Sequence, residues 1–379
     1  MNTYPMTDDE RAMIDQVARF SGDVLAPKAA QLDEEAQFAT CHLPAMADLG
    51  LLGMNLPEEH GGLGLSGPAL YAAVEAIAGA CGSTASMLTA HFLATDSLLL
   101  GADATLQDRF LPDAAAGRTL GAFALTEPQA GSNPADMRTV ARREGEGYRI
   151  KGSKCFISNA GAADFIVVYA KTDPDAGARG VSAFVVEPKS TEGVSIAPNE
   201  RTMGLKGGHV FGISFDCWVP EGNRVGAENT GFRTAMKVLD NGRIEVAAQA
   251  TGIADAALKA AISYAKERQV SGHAISEFQG LQWMLADCAT ELAAARALAM
   301  QAAVLRGTGV RYSSESAYAK LYASEAAWRI ADRALQIHGG YGYTRDFPLE
   351  RYLRDLRIFR IYEGSSEIQR TIIARGLLA

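Results

Sequence analysis

The feature that most restricts the fold is residues 118–228, where strand-like segments follow one another with no helical segment between them. FIVVYAKT (165–172), GVSAFVVEP (180–188) and VFGISFDCWVP (210–220) are rich in β-branched and aromatic residues and are separated by Gly, Pro, Asp and Asn turns. Residues 143–158 have the pattern of a hairpin around a Gly-containing turn. Because strands without crossover helices pair with their chain neighbours, the sequence predicts an antiparallel barrel or sandwich and not a βαβ array.

Helical patterns lie on both sides of this β region. Residues 1–117 open with Thr7 and Glu10, which fit a capping box, and an apolar stripe at helical spacing follows them. Pro27 predicts a kink or a restart of that first helix. Residues 229–379 contain three runs of more than 25 residues, which predict a helical bundle. These runs are 230–266, 275–306 and 312–338.

A last helix completes the predicted bundle, because Ser366 and Gln369 fit a second capping box. The predicted fold class is therefore α+β multidomain. It has an N-terminal all-α domain, a middle antiparallel β-barrel or sandwich, and a C-terminal four-helix bundle. The predicted domain ranges are 1–117, 118–228 and 229–379.

Charge and cysteine usage restrict the partners and the compartment. The net charge is -8 with no Lys/Arg cluster, so we expect no nucleic-acid partner. We also expect no membrane span and no secretory signal, because neither a long apolar run nor a basic start followed by an apolar segment is visible. An odd number of cysteines without a CxxC pattern argues against disulfides and zinc and favours a reducing, cytoplasmic location. The cysteines are Cys41, Cys81, Cys155, Cys217 and Cys288.

Several familiar motifs do not carry a function here. Gly62, Gly64 and Gly67 satisfy G-x-G-x-x-G, but they follow PEEH among helices rather than a parallel strand, so we interpret them as a loop between helices. The six histidines have no spacing typical of metal ligands. The absence of G-x-S-x-G and P-loop patterns weakens hydrolase and triphosphatase functions.

Two segments at the start of the β region are candidates for ligand contacts. FALTEPQAGSNPADMRT (123–139) ends a strand in a loop that either presents N–H groups and hydroxyls to a ligand or is a plain corner. KCFISNAG (154–161) places the Phe156 ring close to the Ser158 hydroxyl. A flat ring stacked on Phe156 fits this segment, and so does a buried hairpin.

The third candidate lies near the end of the chain, in residues 337–370. Gly339, Gly340 and Gly342 allow a ligand to approach the backbone closely. Glu363 follows apolar neighbours and precedes Gly364, and desolvation there raises a carboxyl pKa toward neutrality, which suits a general base. The alternative is an acid placed before a helix for its dipole.

Taken together, these segments resemble the acyl-CoA dehydrogenase family of flavoproteins over essentially the whole chain. Several motifs in this order and at these separations are specific, although any one alone is not. The motifs are PEEHGGLGL (57–65), LTEPQAGSN (125–133), KCFISNAG (154–161), LDNGRIEVAAQATG (239–252), ERQVSG…FQG (267–280), QIHGGYGYTRDFPLERYLRD (336–355) and IYEGSSEIQR (361–370).

The resemblance implies FAD-dependent α,β-dehydrogenation of a saturated acyl-CoA thioester to the 2-enoyl-CoA. By resemblance, Glu363 removes the α-proton while the β-hydrogen leaves as hydride to flavin N5. The thioester carbonyl is polarised by the flavin ribityl 2′-hydroxyl and by the Glu363 N–H. Some branched-chain relatives carry the base directly before the arginine that corresponds to Arg243, but here that position is Gly242, which favours Glu363.

Cofactor and substrate contacts carry over by segment. The implied FAD contacts are Phe123, Leu125, Thr126, Ser132, Phe156, Ser158, Arg268, Gln279, Gln336, Gly339, Gly340, Ser365 and Glu367, with Arg268, Gln279 and the 336–340 loop reaching FAD of a neighbouring subunit. The implied CoA contacts are Ser132, Asp240, Arg243 and Gly364. The acyl pocket is expected between the 83–100 helix and the long helix near 236–246.

The sequence departs from the family pattern at a few positions. Phe156 and Ser158 stand where many relatives have Trp and Thr, which keeps an aromatic ring and a hydroxyl. Ser271 replaces a common Phe, so one aromatic contact to the cofactor is missing, and Gln129 replaces a common Gly. None of these changes removes a catalytic role.

The resemblance also implies partners and a process. We expect a short or branched acyl group, an electron-transferring flavoprotein as acceptor, a homotetramer built as a dimer of dimers, and a role in fatty acid metabolism through β-oxidation. Three rivals remain: an acyl-CoA oxidase or desulfinase-like relative on the same fold, a non-catalytic acyl-CoA or flavin-binding protein, and a nicotinamide enzyme that uses residues 62–67.

Overall fold

The first helix begins at the predicted capping box. The computed structural model describes residues 5–378. The Thr7 side chain accepts from the Glu10 N–H while the Glu10 carboxylate accepts from the Thr7 N–H. The chain runs from α1 (Asp8–Phe20) through a π-helical stretch, Ser21–Leu25, into α2 (Ala26–Glu34). Pro27 lies in the first turn of α2, directly after the π-helical stretch, and the backbone stays helical there, so the predicted kink or restart takes the form of a change in helix type.

The rest of the N-terminal region is also helical, and one helix is enclosed along most of its length. Every residue from Gly82 to Leu98 is buried, which is unusual for a helix and means that neighbours surround it. The remaining helices of this region are α3 (Leu43–Asp48), α4 (Gly67–Ala80), α5 (Gly82–Gly101) and α6 (Ala104–Ala115). The Gly62–Gly67 motif lies in the loop that leads into α4, and no strand precedes it in the described chain, as expected.

The middle region contains one sheet. Within residues 5–378 eight strands form it, in the order β6-β7-β3-β2-β4-β5-β8, with β1 paired to β4. The strands are β1 (Gly121–Ala124), β2 (Val140–Glu144), β3 (Gly147–Ser158), β4 (Phe165–Lys171), β5 (Val181–Val186), β6 (Val194–Ile196), β7 (Val210–Pro220) and β8 (Arg224–Val225). The predicted hairpin corresponds to β2 and β3.

The prediction of a purely antiparallel sheet was wrong at two pairings, both of which involve β4. β1 pairs with β4 in parallel, from Gly121 opposite Phe165 to Ala124 opposite Val168, and β2 touches β4 in parallel at one residue pair. All other pairs in this sheet are antiparallel. The β2–β3 hairpin lies between β1 and β4 in the chain, so β1 joins β4 through a long connection that the turn signals do not reveal.

The two faces of the sheet are buried differently. Along β4, Val167 and Tyr169 face a core shared with α5 and α6, whereas Ile166 and Val168 face a second core made by the strands themselves. Side chains alternate along a strand, so a strand that is buried throughout needs a partner layer on each face. The helices α5 and α6 provide one of these layers.

Long helices form the C-terminal region. They are α7 (Gly231–Glu267), α8 (Gln279–Leu305), α9 (Ser313–His338), α10 (Leu349–Leu356) and α11 (Ser366–Leu378), with the short strands β9 (Gln269–Val270) and β10 (His273–Ala274) between α7 and α8. The largest core cluster joins α7, α8 and α9 to α1, α4 and α5. The all-α, β and helical-bundle architecture is therefore confirmed.

The second predicted capping box was wrong. Ser366 donates its hydroxyl to Glu325, and Ser365 is the residue whose hydroxyl accepts an N–H of the first turn, from Ile368 at 3.4 Å. Gln369 does not reach back to a cap residue's N–H, because its amide donates to the carbonyls of Glu363 and Gly364. The sequence pattern fits both arrangements, and the carbonyls of the preceding loop decide between them.

One helix in the described part, α8, is long and apolar enough to cross a membrane by length and composition, with 39% of its apolar window buried. A core helix of a bundle passes the same test, so this is weak support for a membrane span. Among the described residues no group of three or more His, Cys, Asp or Glu side chains is arranged to hold a metal ion.

Candidate active site

The loop before α11 has an unusual backbone. Glu363 has φ +54° and Gly364 has φ +85°, so two successive residues are left-handed. This conformation is costly for a residue with a side chain and persists only where the surroundings hold it. Gln369 Nε2 donates to the Glu363 carbonyl at 3.1 Å and to the Gly364 carbonyl at 2.8 Å. The neighbouring α9 contributes Lys320, whose Nζ donates to the same Gly364 carbonyl at 2.8 Å.

The Glu363 side chain points from this loop toward α7. Its Oε2 is buried without a hydrogen-bond partner in the described chain, although the residue as a whole is partly exposed. A Cβ built on Gly242 would lie 3.1 Å from that oxygen, so the carboxylate packs directly on α7. Burial raises the pKa of Glu363 to about 7, although the positive charges of Arg243 and Lys320 oppose the rise. A carboxyl with such a pKa is suited to accept a proton near neutral pH.

The predicted CoA contacts on α7 are linked to each other. Arg243 pairs with Asp240, three residues earlier on the helix, and both are largely buried. Asp240 also accepts a hydrogen bond from Ser313 at 2.6 Å, at the start of α9. Arg243 Nε has no hydrogen-bond partner among the described residues. Gly364 follows Glu363 in the loop before α11, which we call the base loop. Ser132 lies in the exposed loop after β1.

The two predicted flavin segments of the β region are joined by a buried ion pair. Lys154 Nζ lies 2.8 Å from Glu127 Oε1 and 2.9 Å from the Leu125 carbonyl, and the Cys155 N–H donates to the Thr126 carbonyl at 3.0 Å. Burial alone would raise the pKa of Glu127, but Lys154 and the main-chain N–H of Arg138 hold it at about 2. These bonds fix the 125–127 loop against β3.

A β-bulge next to this ion pair turns one aromatic ring outward. The register of β3 on β7 shifts between Lys154 and Ile157, and Phe156 between them has φ +56°. Phe156 is 65% exposed, beside a fully buried Lys154. The bulge thus presents Phe156 on the surface, with Ser158 two residues further along the same strand. Phe123, on β1, lies against Tyr169 with ring centroids 5.1 Å apart.

Most of the other predicted cofactor residues lie near the far end of α7 and α9. Arg268, Gly339 and Gly340 line a cavity of about 500 Å³, and the Arg268 guanidinium lies 5.7 Å from the centre of the Tyr341 ring. Gln279 and Gln336 are exposed nearby but do not line this cavity. Ser365 caps α11, and Glu367 is exposed in its first turn.

Two of the positions at which the sequence departs from the family pattern lie in loops. Ser271 is in the β9–β10 turn with φ +52°. Gln129 donates to Glu127 at 2.7 Å.

These residues fit the parts of FAD by their chemistry and by the room around them. An exposed aromatic ring in the β region offers a stacking surface for a flat ring. A Cβ built on Gly339 or Gly340 meets no atom within 4 Å, so the backbone beside the cavity is open to a ligand. Arg268 at the same cavity provides a cation for a phosphate group.

Several functional candidates were not predicted from the sequence. Lys320 lies on the buried stripe of α9, where a charge at helical spacing among alanines was the available signal. Gln249 Nε2 donates to Thr89 on α5 at 3.0 Å, and Leu93 contacts Gly242. The pair of Glu127 and Lys154 had no such signal, because its members are 27 residues apart.

A buried ionic network also escaped prediction. It joins α5, α7 and the end of α8, since Arg306 lies 3.2 Å from Asp96 and 3.0 Å from Glu245. Asn241 donates to Asp96 at 2.6 Å. Burial raises the pKa of Glu245, and its Oε2 has no hydrogen-bond partner in the described chain. No sequence motif marks this group, because its members come from three separate helices.

Comparison with known proteins assigns the family. The acyl-CoA dehydrogenase N-terminal, middle and C-terminal domains match residues 7–118, 122–217 and 229–378. The chain belongs to the acyl-CoA dehydrogenase family. As a member of this family it is a flavoprotein oxidoreductase of fatty acid metabolism, with FAD as the cofactor.

Two relatives at about 40% identity match almost the whole chain. The short-chain specific acyl-CoA dehydrogenase of Clostridium acetobutylicum is 40% identical over 98% of each chain. The acryloyl-CoA reductase (NADH) of Anaerotignum propionicum is 42% identical over 97% of this chain and 94% of its own.

Solved structures agree with the fold. Butyryl-CoA dehydrogenase from Megasphaera elsdenii superposes with a TM-score of 0.96 at 35% identity, covering 99% of this chain and 100% of its own. A chain from work on the electron transferring flavoprotein of Acidaminococcus fermentans gives a TM-score of 0.96 at 40% identity, covering 98% of each chain.

Proposed function

We propose that this protein catalyses the FAD-dependent α,β-dehydrogenation of a short saturated acyl-CoA thioester, with Glu363 as the base that removes the α-proton. The observation that carries the proposal is the Glu363 carboxylate, whose Oε2 is buried without a hydrogen-bond partner among the described residues. Burial also raises its pKa to about 7. A carboxylate with a free oxygen and a near-neutral pKa is ready to accept a proton from a substrate.

The chain's own residues supply the proton transfer and the orientation. The α-proton of a thioester is weakly acidic, so the carbonyl must be polarised as the base acts. We assign one polarising hydrogen bond to the Glu363 N–H, the donor that membership of the family implies. FAD, when bound, supplies the hydride acceptor. Phe156, Ser158 and Thr126 are the residues proposed to hold its ring system, and Arg268, Gly339 and Gly340 its adenosine-diphosphate half.

The packing of α5 on α7 supports a short acyl group. Leu93 and Gly242 meet beside Glu363, and the hydrogen bond between Gln249 and Thr89 crosses the same helix pair two turns away. Seven residues at 1.5 Å each place this crossing about 10 Å along α7 from Gly242. We propose that this bond closes the acyl pocket. The names of the short-chain and butyryl-CoA relatives agree with that size.

We further propose an electron-transferring flavoprotein as the electron acceptor and a homotetramer as the assembly. The structural relative described with an electron transferring flavoprotein supports the first proposal. The second is supported by exposed apolar side chains near and along α8, including Phe278, Trp283 and Val304, which a subunit interface would cover. A cytoplasmic location, with no nucleic-acid or membrane partner, is likewise proposed from the charge and the free cysteines.

Anaerobic titration of the FAD-loaded protein tests the reaction. We expect butyryl-CoA to remove most of the visible flavin absorbance, with octanoyl-CoA much less effective. Glu363→Gln should keep the flavin colour and lose turnover by about 10²–10⁴-fold, the usual contribution of a general base. Glu146→Gln, at an exposed acid in the β2–β3 turn, is the matched control. Full turnover in Glu363→Gln would remove this residue from the mechanism.

The same titration separates the rivals. Hydrogen peroxide formed in stoichiometric amounts under air would indicate an oxidase. Binding of butyryl-CoA without any loss of absorbance would indicate a non-catalytic protein. The reductase relative suggests one further arm, in which NADH and acryloyl-CoA replace the saturated substrate. Turnover only in that arm would reverse the proposed direction.

A further inference from the structure

We propose that Lys320 is a positioning residue for the base: from α9 it fixes the Glu363 loop through the Gly364 carbonyl and supplies positive charge that keeps the Glu363 carboxylate ionised. This inference rests on the proposed role of Glu363. The contact that carries the argument is the one from Lys320 to the Gly364 carbonyl, so we assign Lys320 an effect that is exerted through the loop.

The burial of Lys320 is the first reason. Its exposed fraction is 0%, and the residues one turn away on the same face of α9, Ala317 and Ala323, are also buried. Lysine is almost never fully buried unless it is paired, because an ammonium loses strong hydration there. An alanine or methionine would fill this stripe without that cost. The lysine therefore has a role that an apolar side chain cannot perform.

The contact made by Lys320 identifies the role. Its Nζ donates to the Gly364 carbonyl at 2.8 Å, and Gln369 Nε2 donates to the same oxygen at 2.8 Å. Two donors from two helices thus converge on one carbonyl of a left-handed pair of residues. Lys320 brings a charge to this point, whereas Gln369 brings only a neutral amide. Both donors therefore hold the loop, and only Lys320 adds a positive charge.

The surrounding charges show which group responds to Lys320. Of the charged groups around Lys320, Glu363 has the largest electrostatic effect on the Lys320 pKa. Arg243 on α7 faces the same loop. Arg243 is already paired with Asp240, so part of its charge is neutralised. Among the described residues Lys320 has no carboxylate within ion-pair distance. Two further acids face it, but Glu325 is paired with Arg360 and Glu367 is exposed in α11.

Burial acts on the two groups in opposite directions. It lowers the pKa of Lys320 to about 7, although Glu363 favours the charged form, and it raises the pKa of Glu363 to about 7. Each group stabilises the charge of the other. Removing the ammonium therefore leaves a carboxylate that is harder to ionise, so the base becomes active only at higher pH.

The test compares Lys320→Met with Gln369→Met in the FAD-loaded protein. The readout is kcat/KM for butyryl-CoA as a function of pH, together with FAD content. We expect Lys320→Met to move the acidic limb upward by about one pH unit, which is about a tenfold loss below the limb. Gln369→Met should lower kcat and leave the limb in place, because it removes a hydrogen bond and no charge. Lys320→Gln retains a donor without the charge, and should move the limb as Lys320→Met does.

The outcomes separate this inference from the proposed function. An unmoved limb in both Lys320 variants, or an equal shift in Gln369→Met, would overturn the role of Lys320. If Lys320→Met does not fold, Lys320→Gln alone decides the question. The Glu363→Gln comparison is made first. If that variant is inactive and the Lys320 variants keep the wild-type limb, only the positioning role fails; if it is fully active, the assignment of the base fails.

Discussion

The Glu363 carboxylate lies in the space that a side chain at position 242 would need. A Cβ built on Gly242 would be 3.1 Å from Glu363 Oε2 and 2.8 Å from Cδ2 of Leu93. A side chain at this position of α7 would therefore require Leu93 or the Glu363 carboxylate to shift. The relation gives a physical reason for the glycine directly before Arg243.

Gly242→Ala should disturb activity more than folding. The added methyl group forces Leu93 or Glu363 to move, and a displacement of about 1 Å at a reacting group can cost about 10²-fold in rate. Alanine is favoured over glycine in a helix by about 1 kcal/mol, which offsets the crowding. We expect kcat to fall at least tenfold while the midpoint of thermal unfolding changes little.

Gly22→Ala is the matched control for this prediction. Gly22 lies in the helical stretch between α1 and α2, and a Cβ built there meets no atom within 4 Å. The variant should keep wild-type kcat. Full activity in Gly242→Ala would mean that Glu363 does not need its observed position.

The pH dependence of turnover should follow the Glu363 carboxyl. Its pKa is raised to about 7 by burial, and the base works only when ionised. We expect kcat/KM for butyryl-CoA to fall about tenfold per pH unit below this value. A profile that stays flat down to pH 5 would contradict the raised pKa.

The Glu363 carboxyl should also make the stability of the fold depend on pH, in the direction opposite to its effect on turnover. The folded carboxyl holds its proton up to about pH 7, whereas the unfolded one loses it near 4.5. The folded state therefore binds more protons between these values, and stability falls as the pH rises through that window. Glu363→Gln, which cannot ionise, should unfold at a higher temperature than the wild type at pH 8. An equal or lower midpoint would argue against a strained, desolvated base.

The buried pair of Lys154 and Glu127 should be needed for FAD retention. Lys154→Met leaves the Glu127 carboxylate buried beside an apolar group, and breaking such a pair costs about 3–5 kcal/mol. The 125–127 loop and β3 then lose their link. We expect lower stability in denaturant and faster loss of FAD on dilution.

Lys151→Met is the control on the same strand. Lys151 lies 3.1 Å from Asp216, but both side chains are more than half exposed. An exposed pair contributes about 0.2–1 kcal/mol, so this variant should behave almost as the wild type. Equal losses in the two variants would show that burial of the pair is not what matters.

Gln249 should limit the length of the acyl chain. Gln249→Ala removes the bond to Thr89 across α5 and α7 and opens space there. Each further buried methylene contributes about 0.8 kcal/mol, so two of them raise kcat/KM for hexanoyl-CoA relative to butyryl-CoA by about tenfold. Gln301→Ala, at an exposed position of α8, should leave this ratio unchanged. An unchanged ratio in Gln249→Ala would place the end of the pocket elsewhere.

The order of helices and strands was predictable because it depends on local periodicity. The ranges of α5, α7, α8 and α9 follow apolar patterns that a single segment contains. The parallel pairing of β1 with β4 was not predictable, because pairing between distant strands depends on which edges the folded sheet exposes. The Gln369 side chain was misassigned for a related reason: its true partners are carbonyls whose direction is set by a left-handed Glu363.

Within the candidate site, too, some residues were predictable from the local sequence and others depend on how distant segments pack. Glu363 stands out because a lone acid lies between apolar residues and glycine. Lys320 belongs to an alanine-rich helix, and its importance depends on α9 packing against the base loop. The same holds for Gln249 and Thr89, which are 160 residues apart.

The helix α5 packs against the β region on one side and against α7 on the other. It therefore fixes the position of the predicted flavin segments relative to the Glu363 base. His91 accepts the Gly121 N–H at 2.9 Å, and Leu93 meets Gly242 just two residues later. A single inserted or deleted residue in this helix would rotate its contacts by about 100° and slide them by about 1.5 Å. Lineages that change their preferred fatty acid are therefore expected to exchange side chains on α5 and to conserve its length.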